Sequence, residues 1–310
     1  MVSLVRLGVL ALALSVSPVS PALLVLIPLG LMLVALRSNG ASGLVTGVVL
    51  LLLAFGSGIV STDPDWFAQR AWGLLLGGGF ITATLLMRQS GLLDRSFGAV
   101  AVAGVAVIAA GLLRPEVVAG LDSWMSERVQ LASVVLIQWV TTANTQPEVA
   151  ESLTVAILRW AEIQEQIYPA LLALASLPAL AIGWYLLGRL TGRPEEPAPI
   201  RAFRFSDHLV WMFAIGLALF ALPLGAAASR IGGNAALCMV ALYVVRGGAI
   251  ALWAVGAAGA SILTWSLLAI AGLLLYPVAL GAMFAVGMGD TWLDVRGRSG
   301  RFNSPSTGDR

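Results

Sequence analysis

Gly287-Met-Gly-Asp-Thr-Trp-Leu-Asp-Val-Arg296 ends the last long hydrophobic run of this chain, which begins near residue 261, and an arginine-rich polar tail follows it. Asp290 and Asp294 stand one helical turn apart, and Trp292 is an aromatic residue of the kind that lies at membrane interfaces. This stretch therefore predicts a membrane helix that leaves the bilayer here. We interpret Asp290, Trp292, Asp294 and Arg296 as a structural signature of that exit.

The composition of the whole chain is that of an integral membrane protein. Hydrophobic residues make up 59% and charged residues 11% of the chain, with a mean hydropathy of +0.92, against roughly 45–50% and about 25% in soluble domains. Several apolar runs approach the ~20 residues that cross a bilayer as a helix. We predict an all-α, polytopic transmembrane bundle of about 8–9 hydrophobic helices, with an amphipathic external helical hairpin.

The polar residues exclude several classes of function. All basic residues are arginines scattered between hydrophobic runs, whereas a nucleic-acid surface needs clustered cations. One histidine, His208, and one cysteine, Cys238, leave no His cluster for a metal and no pair for an intrachain disulfide. Asp290 and Asp294 could as a pair serve acid–base or metal chemistry, but no His or Cys stands near them in sequence. We predict no enzyme activity, no metal, no cofactor and no nucleic-acid partner.

Residues 1–190 are predicted to form a six-helix membrane half. Its apolar runs lie at about 3–18, 21–37, 43–60, 70–88, 97–113 and, beyond Tyr168-Pro169, at 168–188. The first run is predicted to be retained, because Pro18 directly after Ser15-Val-Ser17 disfavours cleavage as a signal peptide. Arginines follow the second and fourth runs, whereas Asp63 and Asp65 follow the third. The positive-inside rule then places the N-terminus in the cytoplasm of a bacterial inner membrane.

Residues 115–165 form an insert of different character inside this half. Seven acids and two arginines, Arg128 and Arg159, are interspersed with apolar residues at steps of three and four. This periodicity predicts two amphipathic helices joined near Gln146-Pro147, as an external hairpin on the membrane core. Because basic residues drive attraction to anionic lipid, the acidity of the hairpin disfavours that partner. The simplest alternative is a packed lid without chemistry.

The C-terminal half follows a polar, proline-containing segment at 191–206, which we predict to be a cytoplasmic linker. Its apolar runs lie at about 207–228, 231–258 and 261–290, within a C-terminal membrane region 207–296, and the tail 297–310 is predicted to be disordered. Three crossings would put this arginine-rich tail outside, against the positive-inside rule. Either the run 231–258 turns back at Arg246-Gly247-Gly248, or the rule fails for this tail.

Arg246 and Asn234 are the candidate ligand-binding residues. An ionisable group within a membrane run is costly and usually faces a polar interior or an opposite charge. Arg246 would bind an anionic ligand, or it would close a structural ion pair or snorkel to the interface. Asn234 would contact the same ligand, or it would join helices by a hydrogen bond.

Three motifs carry a resemblance to a known family. They are Phe203-Arg-Phe-Ser-Asp-His-Leu-Val-Trp211, the stretch Asn234…Tyr243-Val-Val-Arg246-Gly247, and Gly289-Asp-Thr-Trp-Leu-Asp-Val-Arg296. With these motifs the chain resembles the YybS-like family of bacterial multi-spanning membrane proteins. That family is similar in its N-terminal half to the S components of energy-coupling-factor transporters. Here Pro28 and Arg37…Gly40…Gly43 are the residues that match.

The resemblance implies binding or transport of a small molecule or lipid, in an S-component-like cavity near the outer leaflet and under the acidic hairpin. Its partners would be the lipid bilayer and an energising transport module or other membrane proteins. The alternative is a non-transporting scaffold for envelope or membrane-complex assembly. A polar-lined pocket among the first six helices favours transport, whereas a filled apolar core there favours the scaffold.

Overall fold

A computed structural model of the chain describes residues 20–36, 41–55, 64–143, 146–192, 199–257, 259 and 261–294. Every regular element in these segments is a helix, as the composition predicts. The predicted helix at 3–18, Arg37, Arg296 and the tail 297–310 lie outside the described residues. The chain divides into two compact units, Met1–Pro197 and Ala198–Arg310. The division falls within the segment 191–206, whose cytoplasmic location stays a prediction.

The helices of the two units follow one another with short connections. In the N-terminal unit they are α1 (Pro21–Leu36), α2 (Ala41–Phe55), α3 (Pro64–Leu86), α4 (Leu92–Leu113), α5 (Pro115–Thr142) and α6 (Pro147–Leu190). In the C-terminal unit they are α7 (Val210–Ala221), α8 (Ala226–Ala257), α9 (Ile262–Leu274) and α10 (Tyr276–Leu293), and the 3₁₀ turns Ile200–Ala202 and Asp207–Leu209 precede α7.

Three of the described helices, α4, α6 and α8, are long and apolar enough to cross a bilayer. The bent pair α9 and α10, taken as one broken span, would be a fourth. Helix α1 and the helical segment Asp207–Ala221 are apolar but shorter. The all-helical membrane fold is therefore confirmed, whereas the predicted 8–9 hydrophobic helices are not confirmed as that number of spans.

The N-terminal unit is built around α1, which contacts α2, α3 and α6. Its core is a continuous set of buried apolar side chains from α1, α3, α4 and α6: Leu29, Met32, Leu33, Leu76, Phe80, Ala99, Leu180 and Leu187. Gly73 and Gly77 of α3 face α1, and a Cβ on Gly77 would lie 3.1 Å from the Cα of Pro28. Small residues at this spacing let the helix backbones approach closely.

Helix α6 corrects the predicted boundary at Tyr168-Pro169. It runs unbroken for 44 residues from Pro147 to Leu190, with Pro169 in its interior. A proline removes one backbone hydrogen bond and usually ends or kinks a helix. Here Ala161 and Ala170, on either side of Pro169, are both buried. Packing before and after Pro169 therefore outweighs the local cost of the proline, and the hairpin's second arm continues directly into the helix of the body.

The C-terminal unit corrects two further boundaries. Of the two alternatives for the run 231–258, the turn-back at Arg246-Gly247-Gly248 is wrong, because α8 is one continuous helix of 32 residues through these positions. The break lies instead in the run 261–290, where α9 and α10 meet at an angle of 106°. Pro277 stands in the first turn of α10, where its missing N–H costs nothing, and it cannot continue the ladder of α9.

Glycines determine how closely α8 packs against its two neighbours. A Cβ on Gly247 would lie 1.8 Å from the carbonyl oxygen of Met283 in α10, and one on Gly287 would lie 2.0 Å from that of Tyr243. A Cβ on Gly232 would lie 2.5 Å from the carbonyl oxygen of Gly216 in α7. At these crossings the backbones are in direct contact, so no larger residue fits without separating the helices.

We expect Gly247→Ala to destabilise the C-terminal unit while Gly248→Ala does not. Both substitutions raise helix propensity by about 1 kcal/mol. A Cβ on Gly248 would have its nearest neighbour at 3.6 Å, the flexible Sδ of Met283. Overpacking at Gly247 should cost about 1–3 kcal/mol or more. Thermal unfolding of the purified protein should show a lower Tm for Gly247→Ala alone; equal Tm values for the two variants would contradict the close crossing.

Candidate functional site

Arg246 is completely buried on α8, and its charge is matched within the C-terminal unit. Its Nε donates a hydrogen bond to Oδ2 of Asp290 at 3.0 Å, and its Nη2 lies 3.0 Å from the same oxygen. Its Nη1 donates to Oδ1 of Asp207 at 2.8 Å. One guanidinium therefore joins three elements: α8, the last turn of α10 and the 3₁₀ turn before α7.

The two carboxylates differ in their exposure. Asp290 is 1% exposed, whereas the side chain of Asp207 is 52% exposed. A buried charge is tolerated when it is paired and hydrogen-bonded, and removing one partner leaves the other uncompensated. Arg246 and Asp290 thus form the buried ion pair, and Asp207 connects that pair to the surface of the unit.

Aromatic rings enclose the buried pair. The guanidinium of Arg246 lies 5.2 Å from the ring centroid of Phe205, which is cation–π geometry. Tyr243 contacts the rings of Phe205, Phe213 and Phe284 at centroid distances of 5.3, 6.2 and 6.0 Å, all edge to face. This apolar wall holds the guanidinium in one orientation and separates it from solvent.

A second ion pair lies at the surface beside the end of α10. Arg204 donates to Asp294 at 2.9 Å, and both side chains are close to half exposed. Asp294 is the C-cap of α10, in the left-handed region with φ 41°, which short polar side chains tolerate. Trp292 is 64% exposed. The signature residues thus comprise one buried acid, one exposed aromatic and one capping acid.

The predicted ligand-binding residues are placed apart from each other. Asn234 donates to the backbone carbonyl of Arg230 in its own helix at 2.9 Å, and it lies about 18 Å from Arg246 along α8, at 1.5 Å per residue. The contacts of Arg246 are those of the ion-pair alternative. An opposite charge for this arginine was one of the alternatives predicted from the sequence. Its partners Asp290 and Asp207 were not predicted, because they are distant from Arg246 in sequence.

A second polar group of side chains lies at the base of the hairpin that α5 forms with the first half of α6. Tyr168 donates to Asp122 at 2.9 Å, and Ser126 donates to Glu165 at 2.8 Å. These two hydrogen bonds join α5 to α6 and occupy two of the acids of the insert. Below them, Trp124 packs on Ala175 and Leu24 of the body.

Arg128 was not singled out by the sequence, yet its surroundings are unusual. Its guanidinium carbon lies 4.9 Å from the ring centroid of Trp124, one turn earlier on α5. The Nε of Arg128 and the Nε1 of Trp124 are buried and have no hydrogen-bond partner among the described residues. Arg128 also has no carboxylate in salt-bridge distance in that part of the chain. The available signal was the Trp–Arg spacing of four on a helix.

An apolar cleft of about 240 Å³ lies between the two helices of the hairpin, beyond Arg128. Its walls are side chains of α5 and α6: Val129, Ala132, Ser133, Leu136, Leu153, Ala156, Ile157, Trp160, Ala161 and Gln164. The hydroxyl of Ser133 donates to the carbonyl of Val129 at 2.8 Å, so it presents no strong donor to the cleft. Among the described residues no group of three His, Cys, Asp or Glu side chains could hold a metal ion.

We expect Asp290→Asn to destabilise the C-terminal unit far more than Asp294→Asn. Breaking a buried ion pair costs about 3–5 kcal/mol, and we expect the lower end because Asp207 still contacts Arg246. The exposed pair of Asp294 is worth about 0–1 kcal/mol, and asparagine tolerates the left-handed cap. Chemical denaturation of the two variants measures this difference. Equal denaturation midpoints would show that the buried pair contributes no more to stability than the exposed pair.

Comparison with known proteins gives a family and no closer relative. The chain matches the family described as "Predicted membrane protein (DUF2232)" over residues 7–291, which includes both units. No curated protein and no solved structure matches the chain. Because the match extends over nearly the whole sequence, the chain belongs to the DUF2232 family of predicted membrane proteins.

Proposed function

We propose that the protein binds a lipid-like molecule, with a hydrocarbon chain in the cleft of the α5–α6 hairpin. The observation that carries the proposal is the cleft itself, an apolar space of about 240 Å³ between two helices. The sequence predicts a ligand cavity under the acidic hairpin, and the cleft lies between its helices. We propose that the surrounding membrane is the bacterial inner membrane, with the N-terminus in the cytoplasm.

The size and chemistry of the cleft select the class of ligand. Pockets for whole drug-sized molecules occupy about 300–1,000 Å³, so this cleft suits part of a molecule, such as a segment of an acyl chain. Its walls are apolar except for Ser133 and Gln164. Each methylene group that leaves water for such walls contributes about 0.8 kcal/mol, whereas a polar solute would lose its hydration without replacement.

Transport of a polar solute has less support. Buried apolar side chains fill the described core between α1, α3, α4 and α6, where an S-component-like carrier would need a polar cavity. Arg246, the predicted anion ligand, is bound to Asp290 and Asp207. The similarity to S components, the energising module and transport itself stay predictions from sequence.

A scaffold without a ligand is the second candidate function. The filled apolar core between α1, α3, α4 and α6 favours the scaffold, because a transporter would need a polar-lined pocket there. The two candidates differ in what should copurify with the protein. A lipid-binding protein should retain lipid in the hairpin cleft, whereas a scaffold should retain protein partners whether or not that cleft is open.

Ala156→Phe, which fills the cleft, should reduce lipid retention, and Ala119→Phe should not. Ala156 lines the cleft, whereas Ala119 is an exposed residue of α5 outside it. Excluding two methylene groups at about 0.8 kcal/mol each lowers affinity about tenfold or more. Native mass spectrometry of protein released from detergent measures the bound fraction. Retention that is unaffected by Ala156→Phe, or the absence of any bound lipid from the wild type, would contradict the proposal.

A further inference from the structure

We propose that Arg128 and Trp124 bind the phosphate of a zwitterionic aminophospholipid whose acyl chain occupies the hairpin cleft. This inference rests on the proposed function, because it names the headgroup of the molecule that the cleft would hold. It concerns a pair of side chains at the base of the hairpin, outside the cleft lining and outside the charged cluster of the C-terminal unit.

The two side chains present unsatisfied donors next to each other. The Nε of Arg128 and the Nε1 of Trp124 are buried without an acceptor among the described residues, although buried donors are nearly always hydrogen-bonded. The guanidinium carbon of Arg128 lies over the indole, 4.9 Å from its ring centroid. Contact through the face of the guanidinium leaves its Nη1 and Nη2 N–H groups for in-plane hydrogen bonds, and these two groups fit two oxygens of a phosphate.

The neighbouring acids do not neutralise Arg128. Asp122 and Glu165, at the base of the same hairpin, accept hydrogen bonds from Tyr168 and Ser126. No carboxylate of the described residues lies within salt-bridge distance of Arg128. A half-buried arginine in an acidic segment that forms no ion pair with the described residues is therefore available for an anionic group from outside them.

The position of Arg128 lets one molecule reach both the pair and the cleft. Trp124, Arg128 and Ala132 follow one another at intervals of four residues, so they lie along one face of α5. Ala132 and the adjacent Val129 are cleft residues. Positions 128 and 132 are one helical turn, about 5.4 Å, apart along α5, and the guanidinium lies over Trp124 on the side of Arg128 away from Ala132. A phosphate ester and the first carbons of its chain would bridge this separation.

The charge of the surroundings selects the rest of the headgroup. The insert 115–165 has seven acids and two arginines, so a lipid with net negative charge is repelled by the segment as a whole. Glu127 lies three residues after Trp124 on the same face and is exposed. An ammonium group beside the phosphate would meet this carboxylate. Phosphate plus amine is the headgroup chemistry of phosphatidylethanolamine.

The test is binding of defined lipids to delipidated full-length protein in neutral detergent, measured by native mass spectrometry titration. Arg128→Gln should weaken phosphatidylethanolamine binding about tenfold, the loss of about 1.4 kcal/mol, and Arg159→Gln, at an exposed arginine of the same hairpin, should leave it unchanged. Wild type should prefer phosphatidylethanolamine to phosphatidylglycerol, and Glu127→Gln should reduce that preference. Free phosphoethanolamine, which has no chain, should bind at least about 100-fold more weakly than the lipid.

The outcomes separate this inference from the proposed function. If Ala156→Phe abolishes lipid binding and Arg128→Gln does not weaken it, the cleft binds a chain and the headgroup assignment is wrong. If neither substitution affects binding, both proposals fail. Trp124→Phe keeps an aromatic ring beside Arg128 but removes the indole N–H together with the five-membered ring, so it tests the Trp124 half of the pair if Arg128→Gln disturbs folding. We expect it to weaken phosphatidylethanolamine binding about threefold to tenfold, and unchanged affinity would overturn the assignment.

Discussion

The bilayer core offers no water to polar groups, and this constraint governs the fold. Backbone groups must then be satisfied within each element, and every regular element of the described residues is a helix. A charge inside the membrane part needs a counter-charge from the protein. Gly247 and Gly287 bring α8 and α10 into backbone contact, and Asp290 can therefore reach Arg246. The ion pair of Arg246 and Asp290 therefore depends on the close approach of α8 and α10.

Helices could be predicted from the sequence because length and hydropathy determine them, but their ends depended on tertiary packing. Two Tyr-Pro dipeptides make this clear. At Tyr168-Pro169 the helix continues, and residues on both sides of the proline are buried by packing. At Tyr276-Pro277 a new helix begins at 106° to the previous one, and α9, which precedes it, has apolar residues exposed along its length. The local chemistry is the same, and only the packing differs.

The candidate sites were predictable to a similar, limited degree. A charged side chain within an apolar run is energetically costly in a membrane, so the sequence alone marks Arg246 as a candidate residue. Its partners Asp207 and Asp290 lie 39 and 44 residues away, and the fold alone brings them together. Arg128 was overlooked for a different reason. It is one of two arginines in a segment with seven acids, whereas its contact with the ring of Trp124 and the lack of an acceptor for its Nε among the described residues arise only in the folded hairpin.

The hairpin of α5 and the first half of α6 is the part of the N-terminal unit that offers a place for a ligand. The body of this unit is filled with apolar side chains, and the two helices of the hairpin leave an apolar cleft of about 240 Å³. Arg128, one turn along α5 from the cleft residue Ala132, forms no ion pair with the described residues. The central claim is that a phospholipid occupies this place. A cryo-EM map of the protein in phosphatidylethanolamine nanodiscs tests it most directly. The account predicts chain density between α5 and α6 with a phosphate against Arg128; a collapsed cleft, or Arg128 bound to a carboxylate of the protein, would contradict it.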